Sequence, residues 1–177
     1  VAALAMGGDW HDLGGSLTDG GEGAVYLQPL ARIDDPGERA WAAGWIAAIL
    51  AREGVTITPE VKEHLWTALS SLASAPIGER TITGLAVLLQ STDLKQALRP
   101  YCLGGPYGRL LDAEIEELGE ASVQAFEIEG LVGTGAAPAV LSYLFHRIGD
   151  RLDGRPTLLI IDEGWLALDD EGFAGQL

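Results

Sequence analysis

Apolar residues form short unbroken runs near the end of the chain and recur at helical spacing just before the last of these runs. Residues 123–128 and 157–162 have the strand pattern, and residues 136–152 between them have the helical one. A strand, a helix and a second strand in this order form a βαβ unit, which implies parallel strands and a right-handed crossover. The pattern therefore predicts an α/β fold at this end of the chain.

The middle of the chain, residues 36–120, has the pattern of successive helices with no strand between them. Helix-start residues occur at Asp35, Thr58, Thr83 and Asp93, and the first two are each followed directly by proline. Strand patterns lie only on either side of this block. We therefore predict a helical subdomain that packs beside the sheet.

The N-terminal region has a short extended segment around residues 9–13, a glycine-rich turn and a strand-like stretch at 24–27. Asp9, His11 and Asp12 are residue types that bind metals. Three ligands so close together on a strand point to both of its faces, which favours surface polar residues beside a turn over a metal site.

Two carboxylates follow the apolar run 157–161 directly, as Asp162 and Glu163. Acids in that place lie at the carboxyl end of a buried strand, which is where ligands bind in open α/β sheets. The arrangement is the Walker B pattern, in which the Asp helps to hold Mg²⁺ and the Glu polarises the attacking water. Since the motif is short, a buried strand ending in two turn acids fits the same residues.

Arg109 lies in a turn-rich segment, residues 104–112. That segment is not a phosphate-binding loop, because no Gly-Lys-Ser/Thr follows it. Arg109 is either an arginine supplied to a neighbouring site or an ordinary surface residue, and the sequence leaves both interpretations open.

Charge narrows the classes of function. The 177 residues carry a formal net charge of −15, and the eleven basic residues are scattered along the chain. Sequence-independent nucleic-acid binding depends on neutralising phosphates, so this chain is not expected to bind nucleic acid directly. A single cysteine, Cys102, suits a reducing compartment, and the longest apolar run, residues 41–50, is too short to span a bilayer. The chain starts at Val1 without a methionine, and we expect it to be a piece of a longer protein.

An ordered set of segments resembles the type IV secretion and conjugal-transfer ATPases of the TrbE-like branch. These segments are residues 4–13 (LAMGGDWHDL), 27–34 (LQPLARID), 105–112 (GPYGRLLD), 126–129 (FEIE), 143–148 (YLFHRI) and 162–165 (DEGW). The resemblance implies a partial RecA-like P-loop NTPase core with an all-α inserted subdomain. Residues 1–35 and 121–177 would belong to the core and residues 36–120 to the insertion.

The same resemblance implies ATP hydrolysis with Mg²⁺. Asp162 would be the Walker B acid, holding Mg²⁺ through water, and Glu163 the catalytic glutamate, both beside the bound nucleotide. Gly164 replaces the alanine usual in the family, a change that leaves the chemistry intact. The Walker A loop should precede Val1, so the isolated chain is expected to be inactive.

The resemblance further implies a homo-oligomer, commonly a hexamer, that works with other components of the secretion or conjugation machinery. It would be cytoplasmic and peripheral at the inner membrane. Two alternatives stay open. An ABC-type ATPase needs an LSGGQ-like signature before its Walker B strand, and residues 137–154 contain none. A non-catalytic scaffold or interaction domain needs no such motif.

Overall fold

The computed structural model describes residues 2–18 and 21–162. The chain divides into two compact units, Val1–Leu131 and Val132–Leu177. Each unit is described in turn. Glu163, and every prediction made for the residues after it, lies outside the described residues.

The first unit is built mainly from helices, with one strand near each of its ends. Its described elements are α1 (Ala2–Ala5), β1 (Asp9–Asp12), α2 (Leu13–Ser16), α3 (Pro36–Arg52), α4 (Pro59–Leu72), α5 (Ile82–Leu88), α6 (Thr92–Leu98), α7 (Gly108–Leu111) and β2 (Gln124–Glu127). Short 3₁₀ helices add Ile77–Glu79 and Arg99–Tyr101. The fold is thus mixed α/β.

Strands β1 and β2 pair in parallel, with Asp9 opposite Gln124 and Asp12 opposite Glu127. The strand predicted at 123–128 is confirmed as β2. The strand-like stretch at 24–27 is reduced to a single bridge between Ala24 and Asp12. Parallel pairing is therefore present, and within the described residues it joins the two ends of the first unit.

The predicted helix starts at Asp35 and Thr58 are confirmed. The Asp35 carboxylate accepts hydrogen bonds from the amides of Gly37 (2.7 Å) and Glu38 (3.0 Å). The Thr58 hydroxyl accepts one from the amide of Val61 at 3.3 Å. These bonds satisfy amides that have no partner inside the helix, which is why α3 and α4 begin where they do. Both helices bury one apolar face, which comprises Ala42, Trp45, Ile46, Ile49 and Leu50 in α3 and Leu65, Ala68, Leu69 and Leu72 in α4.

The starts predicted at Thr83 and Asp93 were each placed two residues too late. Thr81 caps α5, accepting from the Gly84 amide at 3.0 Å, and Ser91 caps α6. Thr83 lies inside α5, where its hydroxyl is used in a tertiary hydrogen bond instead. Two hydroxyl residues close together offered two possible caps, and the tertiary contact selects between them.

The second unit contains α8 (Ala137–Gly149), which confirms the helix predicted over 136–152. Its buried face is formed by Ala139, Val140, Tyr143 and Leu144. The strand predicted at 157–162 is not formed, and this stretch is irregular and exposed, with Leu158 at 82% and Ile160 at 79%. A run that is apolar on both faces needs a strand beside it and helices over it. The described sheet has two strands, and neither belongs to this stretch.

Among residues 2–18 and 21–162, no helix is both long and apolar enough to cross a membrane.

Candidate functional site

The carboxyl ends of β1 and β2 lie at the same edge of the sheet, where ligands bind in open α/β folds. Asp12 and Glu127 are register partners at this edge. Asp12 Oδ1 accepts from the Gly15 amide at 2.8 Å, and Glu127 Oε1 accepts from the Glu129 amide at 3.0 Å. Each acid therefore stabilises the turn that leaves its own strand. The sequence could not show this pairing, since the two residues are far apart along the chain.

The loops after these strands touch through their backbones. A Cβ atom added to Gly14 would lie 2.5 Å from the Cα atom of Gly130. No side chain fits at that distance, so Gly14 is needed for the two loops to approach each other. The glycine pair that follows β1 in the sequence was the available signal.

The three metal-binding residue types of β1 do not form a metal site. The possible ligand atoms of Asp9, His11 and Asp12 do not lie within 4.8 Å of one another. His11 is 7% exposed and stacks on Phe126, with ring centroids 5.1 Å apart and planes 22° apart. His11 thus packs β1 against β2, and Asp12 serves as the cap of α2.

Of the two acids of the Walker B pattern, the structure places only one. Asp162 is exposed at the end of the irregular stretch 157–161. Glu163 lies outside the described residues. The roles given to both residues stay predictions.

Sequence reasoning did not single out Asp112, which is 7% exposed. Its carboxylate accepts hydrogen bonds from the Thr83 amide (2.9 Å), from the Thr83 hydroxyl and from the Leu103 amide (2.5 Å). Burial raises the pKa of this carboxyl, and these hydrogen bonds oppose the rise because they favour the charged form. The pKa of the neighbouring Cys102 thiol is raised to about 11, first by burial and then by the charge of Asp112. A thiol with so high a pKa is a poor nucleophile at neutral pH.

Arg109 is an exposed residue, and its guanidinium donates a hydrogen bond to the Thr18 carbonyl. That bond ties α7 to the segment after α2. Whether Arg109 also serves a neighbouring nucleotide site stays a prediction.

An open groove of about 820 Å³ lies between α4, α5 and residues 112–117. Its lining combines small, apolar and charged side chains. The members used below are Val87, Leu88, Leu103 and Ile115, which are apolar, and Glu79, Asp112, Glu114, Glu117 and Arg109, which are charged.

No known protein-family model matches the sequence. Curated relatives do. The chain is 38% identical over 176 residues to a probable conjugal transfer protein TrbE of Sinorhizobium fredii, covering 98% of this chain and 26% of that protein. It is 40% identical over 177 residues to the conjugal transfer protein TrbE of Rhizobium radiobacter, covering 98% of this chain and 21% of the relative. A more distant match, 25% identical over 140 residues, is the type IV secretion system protein virB4 of Bartonella henselae, covering 76% of this chain and 18% of that protein.

The match to the two TrbE proteins extends over nearly all of this chain, and the chain spans only 26% and 21% of their lengths. The segments that carried the resemblance are therefore pieces of one continuous similarity. The chain belongs to the TrbE-like branch of the conjugal transfer and type IV secretion protein family.

Proposed function

We propose that this chain is a segment of an ATP-hydrolysing motor that powers conjugative DNA transfer or type IV secretion. The observation that carries the proposal is the similarity to proteins named for conjugal transfer over 98% of the chain, a stretch that includes the adjacent acids Asp162 and Glu163. Those two acids follow an apolar run, as the Walker B pattern requires.

In this proposal Asp162 binds Mg²⁺ through water. Mg²⁺ prefers oxygen ligands and keeps several of its waters, so a carboxylate that is open to solvent suits it. Asp162 has that exposure. The bound ion would neutralise charge on the phosphates of ATP. Glu163 would orient and polarise the water that attacks the γ-phosphate.

The fold supports a partial RecA-like core in a limited way. Strands β1 and β2 are parallel, and the helices of 36–120 lie between them in the sequence, as expected of an insertion into a core. We propose residues 1–35 and 121–177 as core and 36–120 as insertion. The exposed apolar run 157–161 would become a strand when further strands and helices cover it.

The 177 residues contain no Gly-Lys-Ser/Thr motif. The amides and lysine that cradle the phosphates would therefore be supplied by a Walker A loop N-terminal to Val1. We further propose a homo-oligomer, commonly a hexamer, that is cytoplasmic and bound peripherally at the inner membrane. The net charge of −15 disfavours direct contact with DNA, so force would pass to the substrate through other components of the machinery.

A chimaeric protein tests the proposal. The stretch of Rhizobium radiobacter TrbE that aligns with this chain is replaced by residues 1–177, and the chimaera is expressed in a donor strain that lacks TrbE. ATP hydrolysis by the purified chimaera and the frequency of plasmid transfer are both measured. We expect Glu163→Gln to lower hydrolysis by about 10²–10⁴-fold, because it removes a positioned base. Nucleotide binding should be largely kept.

The matched control is Asp153→Asn, which removes an exposed acid that is ion-paired with Arg155. This variant should transfer plasmid and hydrolyse ATP as the unmodified chimaera does. If the Glu163→Gln chimaera kept full hydrolysis, the Walker B assignment would be wrong. If it lost hydrolysis but still supported transfer, the segment would be a non-catalytic scaffold.

A further inference from the structure

The groove between α4, α5 and residues 112–117, called here the α4–α5 groove, has an unusually apolar rim. Val87 is 72% exposed, Leu103 78% and Ile115 73%, and Leu88 is exposed as well. All four side chains line the same groove. Exposed apolar residues that stand alone are ordinary, but a contiguous set with polar residues around it marks an interaction site.

The shape of the α4–α5 groove favours a macromolecule over a small ligand. Pockets for small molecules enclose most of the ligand's surface, with their apolar side chains turned inward. Here Val87, Leu103 and Ile115 protrude into solvent around an open groove. An extended partner that covers the rim would bury these side chains, and a ligand confined to the floor would not.

Acidic residues accompany this apolar rim. Glu79, Glu114 and Glu117 are exposed and line the groove together with the buried Asp112. Among the described residues none of the three glutamates forms an ion pair. The single basic residue among the described lining residues is Arg109, whose guanidinium binds the Thr18 carbonyl. The groove therefore presents an apolar strip inside a negative field.

Charge selects among the possible occupants. A second copy of this chain would bring a net charge of −15 to an acidic groove, which opposes self-association. Lysine and arginine side chains beside an apolar stripe would complement both features. That combination is a basic amphipathic helix, and laying such a helix in an apolar groove is a common way to recognise peptides.

We propose that the α4–α5 groove is a docking surface for a basic amphipathic helix of a partner protein. The apolar stripe of the helix contacts Val87, Leu88, Leu103 and Ile115. Its basic residues lie over Glu79, Glu114 and Glu117. Nucleotide takes no part in this binding, so the inference stands apart from the proposed ATPase function.

The test uses the 177-residue chain and a fluorescent synthetic helix of about five turns, built from leucine at helical spacing and lysine elsewhere. Two control peptides keep everything but one property. One replaces lysine by glutamate, and the other scrambles the order so that no apolar stripe forms. Fluorescence anisotropy measures the affinity of each. We expect the basic amphipathic peptide to bind at least ten times more tightly than either control.

Paired substitutions locate the site. Val87→Lys with Ile115→Lys should weaken the basic peptide at least tenfold, and so should Glu114→Lys with Glu117→Lys. Leu152→Lys and Glu60→Lys with Glu63→Lys are matched controls at exposed positions outside the groove, and they should leave the affinity unchanged. All of these side chains are exposed, so the fold is expected to tolerate them, and circular dichroism checks this.

Three results would overturn the proposal. The first is equal binding of the acidic peptide, and the second is equal weakening by the control substitutions, which would mean non-specific attraction to an acidic protein. The third is concentration-dependent dimerisation in sedimentation that Val87→Lys abolishes, which would make a second copy the occupant.

Discussion

Thr83 and Asp112 are joined by two hydrogen bonds, one from the backbone amide of Thr83 to Oδ1 (2.9 Å) and one from its hydroxyl to Oδ2. The Leu103 amide donates to both partners, at 2.9 Å to the Thr83 hydroxyl and 2.5 Å to Oδ2. A single buried carboxylate therefore fixes α5 to the end of α7 and to the loop between α6 and α7.

Asp112→Ala should destabilise the chain by about 1–3 kcal/mol, because it leaves buried backbone amides without an acceptor. Thr83→Val removes one hydroxyl and should cost about 1 kcal/mol. The two losses should not add, since both remove the same hydrogen bond. Urea denaturation of the single and double variants measures this coupling. Thr67→Val, at an exposed position of α4, should change the free energy of unfolding by less than about 0.5 kcal/mol. Additive losses would mean that Thr83 and Asp112 act independently.

Cys102 should react slowly with iodoacetamide at pH 8. Its pKa of about 11, against an ordinary value of 9.0, lowers the thiolate fraction about a hundredfold, and the thiolate is the reactive form. Burial is the main cause and the charge of Asp112 the second, so Asp112→Asn should speed the reaction and shift its pH profile downward. The rate is measured from pH 7 to 11 by mass spectrometry. A profile centred at the ordinary thiol pKa would contradict this account.

The same shift has a consequence for stability. The folded chain holds the Cys102 proton more tightly than the unfolded chain does, because the pKa is higher in the folded state. This contribution is complete below pH 9 and is lost as the pH rises through about 11. Cys102→Ser should therefore flatten the alkaline decline in the free energy of unfolding. An unchanged decline would assign it to other groups.

Two glycine substitutions should act in opposite directions. Gly14→Ala places a methyl group 2.5 Å from the Gly130 Cα atom and should cost about 1–3 kcal/mol through overpacking. Gly44 lies inside α3 with nothing within 4 Å of an added Cβ atom. Gly44→Ala should raise the free energy of unfolding by about 0.5–1 kcal/mol, because alanine favours the helix. Thermal unfolding of both variants gives the signs, and a stable Gly14→Ala variant would show that the two loops can separate.

The isolated 177-residue chain should neither bind Mg²⁺–ATP tightly nor hydrolyse it. The phosphate-cradling amides and the lysine of a Walker A loop supply much of the binding, and this sequence has no Gly-Lys-Ser/Thr. Calorimetric titration checks the binding and a phosphate-release assay the hydrolysis. The Glu163→Gln chain is the control for contaminating ATPases. Magnesium-dependent turnover by the unmodified chain above that of Glu163→Gln would contradict the prediction.

Features that depend on neighbouring residues could be predicted from the sequence. The caps at Asp35 and Thr58 are an example, because the capping residue, the proline and the apolar face of the helix lie within a few turns. The choice of Thr81 over Thr83 could not, since Thr83 is committed to Asp112, 29 residues away. The strand predicted at 157–162 was wrong for a similar reason. An apolar run forms a strand only where partners cover it, and its own sequence does not say whether they do.

For the candidate site, the acid pair and the family were available from local motifs, and the ordered set of segments was confirmed by the match to TrbE proteins. The α4–α5 groove was not available. Its rim residues Val87, Leu103 and Ile115 come from three separate segments, and only the folded chain brings them together.

The pairing of β1 with β2 also determines how this unit would carry mechanical load. Because the strands are parallel, pulling on the start of β1 and the end of β2 draws them in opposite directions along their length. The four register pairs from Asp9–Gln124 to Asp12–Glu127 then resist sliding together instead of opening one by one. Tension entering at one end of the unit leaves at the other through this ladder. The helices α3–α6, which lie between the strands in the sequence, stay outside the path of the force and are spared from unfolding under it.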